Sequence, residues 1–183
     1  MAIIMSNIQR RIMLNDNNTV EYLAEKASRG DEESFSALCE VLKTKLFRTA
    51  KGILGNENLA LDAMSEAVFR AFKGIKRLRQ PKYAETWFIR IAVNASKDIG
   101  RRHRNEITME KVPEGLYFDS HSEFEFHQMI DSLQPEYREI VSLKYYSGYT
   151  LKEISRILNI PEGTVKSRLN RALNILRMEV MDE

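Results

Sequence analysis

The sequence has few of the residues that build disulfide-bonded, metal-binding or membrane-spanning proteins. Of its 183 residues only Cys39 is a cysteine, which excludes an intramolecular disulfide and a cysteine-rich zinc site. The three histidines, His103, His121 and His127, are too scattered for metal-ligand spacing. No apolar run approaches the ~18 residues of a membrane span, and the opening residues lack the apolar core of a signal peptide. We therefore expect a cytoplasmic chain that does not insert into membranes and needs no metal or cofactor.

Sequence motifs of enzymes are also missing. There is no glycine-rich phosphate loop, no zinc-ligand spacing and no nucleophile with an evident base beside it. An enzyme acting on nucleic acid is therefore disfavoured, and we expect no catalytic residues.

The apolar residues that are present recur at i, i+3, i+4 and i+7, and no convincing run of period two appears. This pattern is typical of amphipathic helices and predicts an all-α fold. Four stripes precede residue 105: Val20, Leu23, Ala24 and Ala27; Phe35, Leu38, Cys39, Leu42, Leu46, Ala50 and Ile53; Leu61, Met64, Val68, Ala71, Phe72 and Ile75; and Trp87, Phe88, Ile91, Ala95 and Ile99.

Charge is distributed in blocks that the net charge of +2 conceals. Residues 73–104 hold ten lysines and arginines against two acids, and residues 105–133 hold seven acids against Lys111. Residues 152–178 are basic again, with six cations against two acids. Two basic blocks separated by an acidic one indicate two anion-binding lobes joined by a linker that avoids anions.

These patterns predict two small helical domains joined by an acidic linker. The expected boundaries are an N-terminal extension at 1–18, a helical bundle at 19–104, a linker at 105–122 and a second helical domain at 123–183.

The second domain carries a helix-turn-helix pattern. Residues 150–153 (TLKE) form a capping box, a turn follows at 159–160, and Pro161 suits the first position of the next helix. Val165 and Leu169 would face inward from that helix. Its opposite face carries side chains that read base edges and hold phosphates: Thr164, Lys166, Ser167, Arg168, Asn170, Arg171 and Asn174. This arrangement favours DNA binding over a plain helical hairpin.

The fourth helix carries a second basic surface. Opposite its apolar side lies a stripe of Thr86, Arg90, Asn94, Lys97, Arg101 and Arg104. Such a stripe can follow a nucleic-acid backbone, and the loop at 78–83 offers polar groups and a ring for an unstacked base. Tyr83 is the better stacking candidate, because Trp87 lies among apolar core positions.

Several stretches together resemble the extracytoplasmic-function (ECF) sigma factors of bacterial RNA polymerase. LDAMSEAVFRAF at 61–72 and TWFIRIAVN at 86–94 are similar to sigma region 2. LQPEYREIV at 133–141, YTLKEIS at 149–155 and GTVKSRLNRA at 163–172 are similar to region 4. The resemblance covers roughly residues 19–178 in the order of the family.

The resemblance implies a promoter-specificity subunit and gives roles to matching positions. In region 4 it implies −35 contacts by Thr164, Lys166, Ser167, Arg168, Asn170 and Arg171. In and around region 2 it implies −10 contacts by the loop residues Leu78, Arg79, Gln80, Lys82 and Tyr83 and by Asn94. The stripe residues Arg90, Lys97 and Arg101 are then expected to bind the backbone of the same −10 element. It implies that Asp62, Ser65 and Glu66 contact core polymerase.

The implied partners are the β and β′ subunits of core RNA polymerase, promoter DNA and a membrane-anchored anti-sigma factor, with no obligate homo-oligomer. The anti-sigma factor would hold the protein inactive until an envelope or stress signal arrives. Two positions depart from the family pattern. Ser65 stands where a glutamine is frequent, and Leu78 stands where an aromatic residue is common.

Two other functions fit the residues. A conventional transcriptional regulator would bind a palindromic site without polymerase, and an interaction protein would use its basic faces to bind an acidic partner. Transcription and gel-shift assays with and without core polymerase separate these functions.

Overall fold

The computed structural model describes residues 16–107, 128–130 and 132–181, and these residues are helical almost throughout, as the all-α prediction requires. The helices are α1 (Asp16–Ser28), α2 (Glu32–Leu54), α3 (Glu57–Gly74), α4 (Ala84–Ile107), α5 (Pro135–Val141), α6 (Leu151–Leu158) and α7 (Glu162–Met181). Two 3-10 turns, Ile75–Arg77 and Pro81–Tyr83, join α3 to α4. No helix in the described ranges is long and apolar enough to cross a membrane.

Local signals in the sequence set the ends of the helices. At the end of α2, Gly55 adopts a left-handed conformation with φ 67°, and its N–H donates to the carbonyl of Lys51. The side chain of Asn56 then accepts from the N–H of Leu59 at 3.0 Å and begins α3.

The first helix begins earlier than predicted. Because α1 begins at Asp16, residues 16–18 are helical, whereas the predicted N-terminal extension included them. The rest of that extension lies outside the described residues.

The first four helices pack around apolar side chains of α2 and α4. Leu38 and Leu42 of α2 and Phe88 of α4 are fully buried. Phe35 contacts two rings, Phe72 edge-on at 5.3 Å between centroids and Phe88 stacked at 6.1 Å. This core fixes the outward face of α4, on which the predicted basic stripe lies.

The face that α3 buries agrees with the predicted one only in part: Met64, Val68 and Ala71 lie against the core as predicted. Its buried residues are four alanines: Ala60, Ala63, Ala67 and Ala71. Leu61 and Phe72, predicted to face the core, are 42% and 49% exposed, and Phe69 is 52% exposed. The alanines let α3 approach α2 and α4 closely, and this close packing leaves the larger apolar side chains on the outside of the helix.

The C-terminal helices form the second part of the fold. Helix α5 is α-helical only to Val141, and the chain continues as a π-helical segment, Ser142–Tyr146. Gly148 follows with φ 81°. Pro161 immediately precedes α7 instead of occupying its first position, and its carbonyl accepts from the N–H groups of Thr164 and Val165.

Both parts share one hydrophobic core. Buried residues of the C-terminal part, among them Ile140 and Leu143, belong to the same cluster as Leu42 and Phe88 of the N-terminal part. Beyond residue 107, the predicted linker at 105–122 lies outside the described residues. Its first three residues continue α4.

Candidate nucleic-acid interface

The first helix of the predicted helix-turn-helix is α6, and it begins with the expected capping box. The N–H of Glu153 donates to Oγ1 of Thr150 at 3.3 Å, and the N–H of Thr150 donates to the Glu153 carboxylate at 2.8 Å. Partial burial raises the pKa of the Glu153 carboxyl, because burial disfavours its charged form. Hydrogen bonds from Thr150 and the nearby cations Lys45 and Arg156 lower the pKa by more, so it lies below its usual value.

The turn between α6 and α7 is held by backbone geometry. Asn159 adopts the left-handed conformation, φ 56° and ψ 45°, that ends α6. The hydroxyl of Ser155 donates to the carbonyl of Ile160 at 2.6 Å, and the N–H of Ile160 donates to the carbonyl of Ser155 at 3.1 Å. These bonds fix the direction in which α7 leaves the turn.

Helix α7 separates its apolar and polar sides as predicted. Val165, Leu169 and Ala172 are buried against the rest of the domain. The opposite side, here called the recognition face, has four exposed and two half-buried members: Lys166, Ser167, Asn170 and Arg171, then Thr164 and Arg168. Among the described residues, no ion pair involves a cation of this face. The face can therefore present its donors to DNA.

The cations of the stripe on α4 lie at the surface, but they already have partners within the protein. Arg90, Asn94, Lys97 and Arg101, here called the α4 stripe, lie on one side of the helix, and all but the half-buried Arg90 are exposed. Arg101 lies 3.2 Å from Asp98. Arg90 and Lys97 instead contact the C-terminal part of the protein.

Most of the loop before α4 is also exposed. Arg79, Gln80, Lys82 and Tyr83 are exposed, whereas Leu78 is half-buried against the core. Two cations lie over the Tyr83 ring, Lys82 at 5.0 Å and Arg156 at 5.5 Å from its centroid. Trp87 is half-buried and packs edge-on against Phe88 at 5.6 Å, so it is a core residue as expected.

Comparisons with known proteins find matches to both parts of the chain that carry this interface. The family model described as "Sigma-70 region 2" matches residues 38–106, and the model described as "Sigma-70, region 4" matches residues 123–176. The ECF RNA polymerase sigma factor SigW of Bacillus subtilis is 28% identical over 86% of this chain and 94% of its own. The ECF sigma-E factor of Escherichia coli K12 is 26% identical over 87% of this chain and 93% of its own.

The chain belongs to the ECF sigma factors.

Solved structures agree with this sigma factor in fold. The structure of CnrH with the cytosolic domain of CnrY has a TM-score of 0.70, with 19% identity, over 90% of this chain and 99% of that one. The sigma factor RpoE with the anti-sigma factor NepR, from Bartonella quintana, has a TM-score of 0.64 at 18% identity over 81% of this chain and 98% of that one. The helix-turn-helix belongs to region 4 and the α4 stripe to region 2. A sigma factor is not an enzyme, as the sequence predicted.

The residues predicted to contact polymerase lie along α3 of this sigma factor. Asp62 and Ser65 are exposed. Glu66 is held by Arg70 at 2.7 Å, and Arg70 also reaches Asp98 on α4 at 2.9 Å, so Glu66 helps to join the two helices.

The sequence prediction missed the exposed apolar residues beside Asp62 and Ser65. Leu61, Phe69 and Phe72 lie along the same outer side of α3, and we call these three with Asp62 and Ser65 the α3 face. The sequence does contain a signal for this exposure. Alanines recur at 60, 63, 67 and 71, and they occupy the buried side of the helix, so the larger apolar residues lie outside it. An exposed apolar patch of this kind is typical of a protein-protein contact.

Proposed function

We propose that this sigma factor binds core RNA polymerase and directs it to promoters whose −10 and −35 elements its two domains recognise. The observation that carries the proposal is the recognition face of α7, whose donors point outward from a capped helix-turn-helix. Arg171 and Lys166 would contact base edges and phosphates of the −35 element.

The α4 stripe and the loop at 78–83 would hold the −10 element. Opening a duplex requires a surface that follows the displaced strand and a pocket that offsets the few kcal/mol of unstacking a base. Lys97 and Arg101 supply the cations for the backbone, and Tyr83 supplies the ring. Leu78, which is half-buried, would support this loop, and Arg79, Gln80 and Lys82 would be its exposed polar members.

The α3 face would contact the β and β′ subunits of core polymerase. It combines the acid Asp62 with exposed rings at Phe69 and Phe72, a mixture of charge and apolar area that suits a protein partner. Glu66 would contribute by keeping α3 and α4 in register through Arg70.

Reconstituted transcription tests the proposal directly. Genomic DNA is transcribed by core polymerase with and without the protein, and start sites are mapped. We expect a discrete set of promoters that requires both components. Stable binding of the free protein to a palindromic site, with no effect on core polymerase, would favour a conventional regulator instead.

An anti-sigma factor would hold the protein inactive until an envelope or stress signal arrives. Support comes from the CnrH and RpoE structures, which were solved with the cytosolic domain of CnrY and with NepR. The test is to crosslink the tagged protein in uninduced cells, purify the captured protein and add it to the transcription reaction. Inhibition at a one-to-one ratio supports this role, and unchanged transcription contradicts it.

A further inference from the structure

Four side chains of alternating charge form a chain of contacts from α3 to the α4 stripe. Oε1 of Glu66 accepts from Nε of Arg70 at 2.7 Å, and both residues lie on α3. Nη1 of Arg70 reaches α4 and donates to Oδ2 of Asp98 at 2.9 Å. The other oxygen of that carboxylate, Oδ1, accepts from Nη2 of Arg101 at 3.2 Å. The chain therefore ends on a cation of the surface proposed to bind the −10 element.

Asp98 is held more firmly than the arginine that it contacts on the stripe. Its side chain is 38% exposed, whereas that of Arg101 is 72% exposed. Arg70 binds Glu66 and Asp98 through two nitrogens of one planar guanidinium, a geometry that a lysine ammonium does not provide. An isolated surface ion pair contributes little, but several charges in a network with short contacts can hold a defined geometry. The Oδ1 atom of Asp98 is therefore a fixed acceptor beside Arg101.

Arg101 gains from a fixed acceptor when it binds a phosphate. A long, exposed side chain loses rotamer freedom on binding, and this loss weakens the affinity. If the guanidinium is already held by Asp98, part of the loss precedes binding. The guanidinium carries five N–H donors, so one bond to Asp98 leaves others for a phosphate. The two residues are three positions apart on α4, which places them on the same side of the helix.

The charge of Asp98 has an opposing effect, because an anion near a phosphate repels it. Arg70 lies 2.9 Å from the Asp98 carboxylate and offsets its charge, and salt screens the repulsion between exposed charges at longer distances. The contact between Asp98 and Arg101, by contrast, is direct, at 3.2 Å. We therefore expect the orienting effect of Asp98 on Arg101 to exceed the repulsion.

We propose that Asp98 is a positioning residue that orients Arg101 toward a backbone phosphate of the unpaired −10 strand, and that Arg70 fixes Asp98 for this role. The proposal rests on the function proposed for the α4 stripe. Neither Asp98 nor Arg70 needs to contact DNA. An acid in a basic part of the sequence would then contribute to nucleic-acid binding, although its own charge has the wrong sign for it.

The variants Asp98→Ala and Arg101→Ala, together with the double variant, form a double-mutant cycle that tests this role. Alanine favours a helix more than aspartate does, so α4 should persist, and circular dichroism checks it. Asp98→Asn keeps an acceptor oxygen but no charge, so it should retain part of the effect. The matched control is Glu40→Ala, which removes an exposed acid of the same bundle that pairs with Lys43 along α2.

The measured quantity is the affinity of the full chain for a fluorescent oligothymidine of about 12 nucleotides, a length suited to a single-strand site, over a series of salt concentrations. We expect Arg101→Ala to weaken binding about threefold and to reduce the slope of log affinity against log salt by about 0.7. Asp98→Ala should reproduce both changes. The double variant should also be weakened about threefold, whereas independent sites would give about ninefold. Glu40→Ala should match the wild type.

Three results would overturn the proposal. Tighter or unchanged binding by Asp98→Ala would show that the acid only repels the strand. A double variant weakened by the product of the single effects would show that Asp98 does not act through Arg101. An Arg101→Ala chain that binds as the wild type does would remove the contact that Asp98 is proposed to orient. Failure of the proposed function is recognised separately, as a lack of core-dependent transcription by the wild type.

Discussion

Arg171 projects from the recognition face of α7 next to the buried Ala172, so its direction is fixed by the core. We predict that Arg171→Ala weakens binding of the polymerase holoenzyme to its promoters by about 1–3 kcal/mol and relaxes base preference at one −35 position. Competition binding with a set of single-base promoter variants measures both effects. Arg177→Ala, an exposed arginine farther along α7, is the control, and an equal loss there would contradict the assignment.

Lys97 is paired with the buried Glu139 in this structure, and we propose that it also contacts a phosphate of the −10 element. We predict that Lys97→Ala weakens binding of a single-stranded oligothymidine and reduces the slope of log affinity against log salt by about 0.7, the value for one single-strand phosphate contact. A salt series of titrations gives the slope, and an unchanged slope would contradict the phosphate contact.

Glu153 links the stability of region 4 to pH. Because its pKa is depressed in the folded state, its contribution is complete above the usual value of 4.5 and is lost as the pH falls through the lower, folded value. Glu153→Gln retains a capping side chain but does not titrate. We predict that the stability difference between wild type and Glu153→Gln shrinks below about pH 4.5. Urea unfolding at pH 7 and at pH 3 measures it, and a constant difference would contradict this role.

At the scale of helices, the alanine face of α3 determines which substitutions the fold tolerates. Ala67 is fully buried, whereas Leu61 is 42% exposed. We predict that Ala67→Leu destabilises the fold by about 1–3 kcal/mol through overpacking, while Leu61→Ala changes stability by less than about 0.5 kcal/mol. Thermal melts compare the two variants, and the reverse order would contradict the packing seen here.

The same helix carries the α3 face, and its charge should matter for polymerase. We predict that Asp62→Lys lowers the affinity for core polymerase by about tenfold, as expected for a like charge in a protein interface. Helix content should stay unchanged, because Asp62 is exposed. Co-purification with core enzyme measures the effect, with the exposed Glu21→Lys on α1 as control. Normal binding by Asp62→Lys would remove the assignment.

The start of α6 was predictable because the Thr150 capping box is a strong local signal, and it begins where the sequence indicated. Gly55 is a comparable signal at the end of α2, whereas the π-helical segment after Val141 has none. The buried side of α3 could be read from apolarity only in part. Large apolar residues occur on several sides of this helix, and close packing against α2 and α4 favours the side with the smallest side chains.

At the scale of the whole molecule, the sequence predicted two basic surfaces, but it did not predict that one of them contacts the C-terminal part of the fold. The recognition face of α7 is exposed as expected, and its separation from the core follows from periodicity alone. The pairing of Lys97 with Glu139 joins residues 42 positions apart, and nothing in either local pattern specifies it. Contacts of this kind depend on the tertiary arrangement of whole helices, so they became visible only in the structure.

Gly52 lies where the two parts of the fold meet, against the ring of Tyr146. We propose that the recognition face and the α4 stripe determine which promoters are chosen, so substitutions there would alter that choice. Gly52 belongs to neither surface: its lack of a side chain allows the close approach of Tyr146, and its carbonyl accepts from the hydroxyl of Ser142. A larger residue at position 52 would therefore disturb the seam between the two parts while leaving the side chains of both surfaces unchanged.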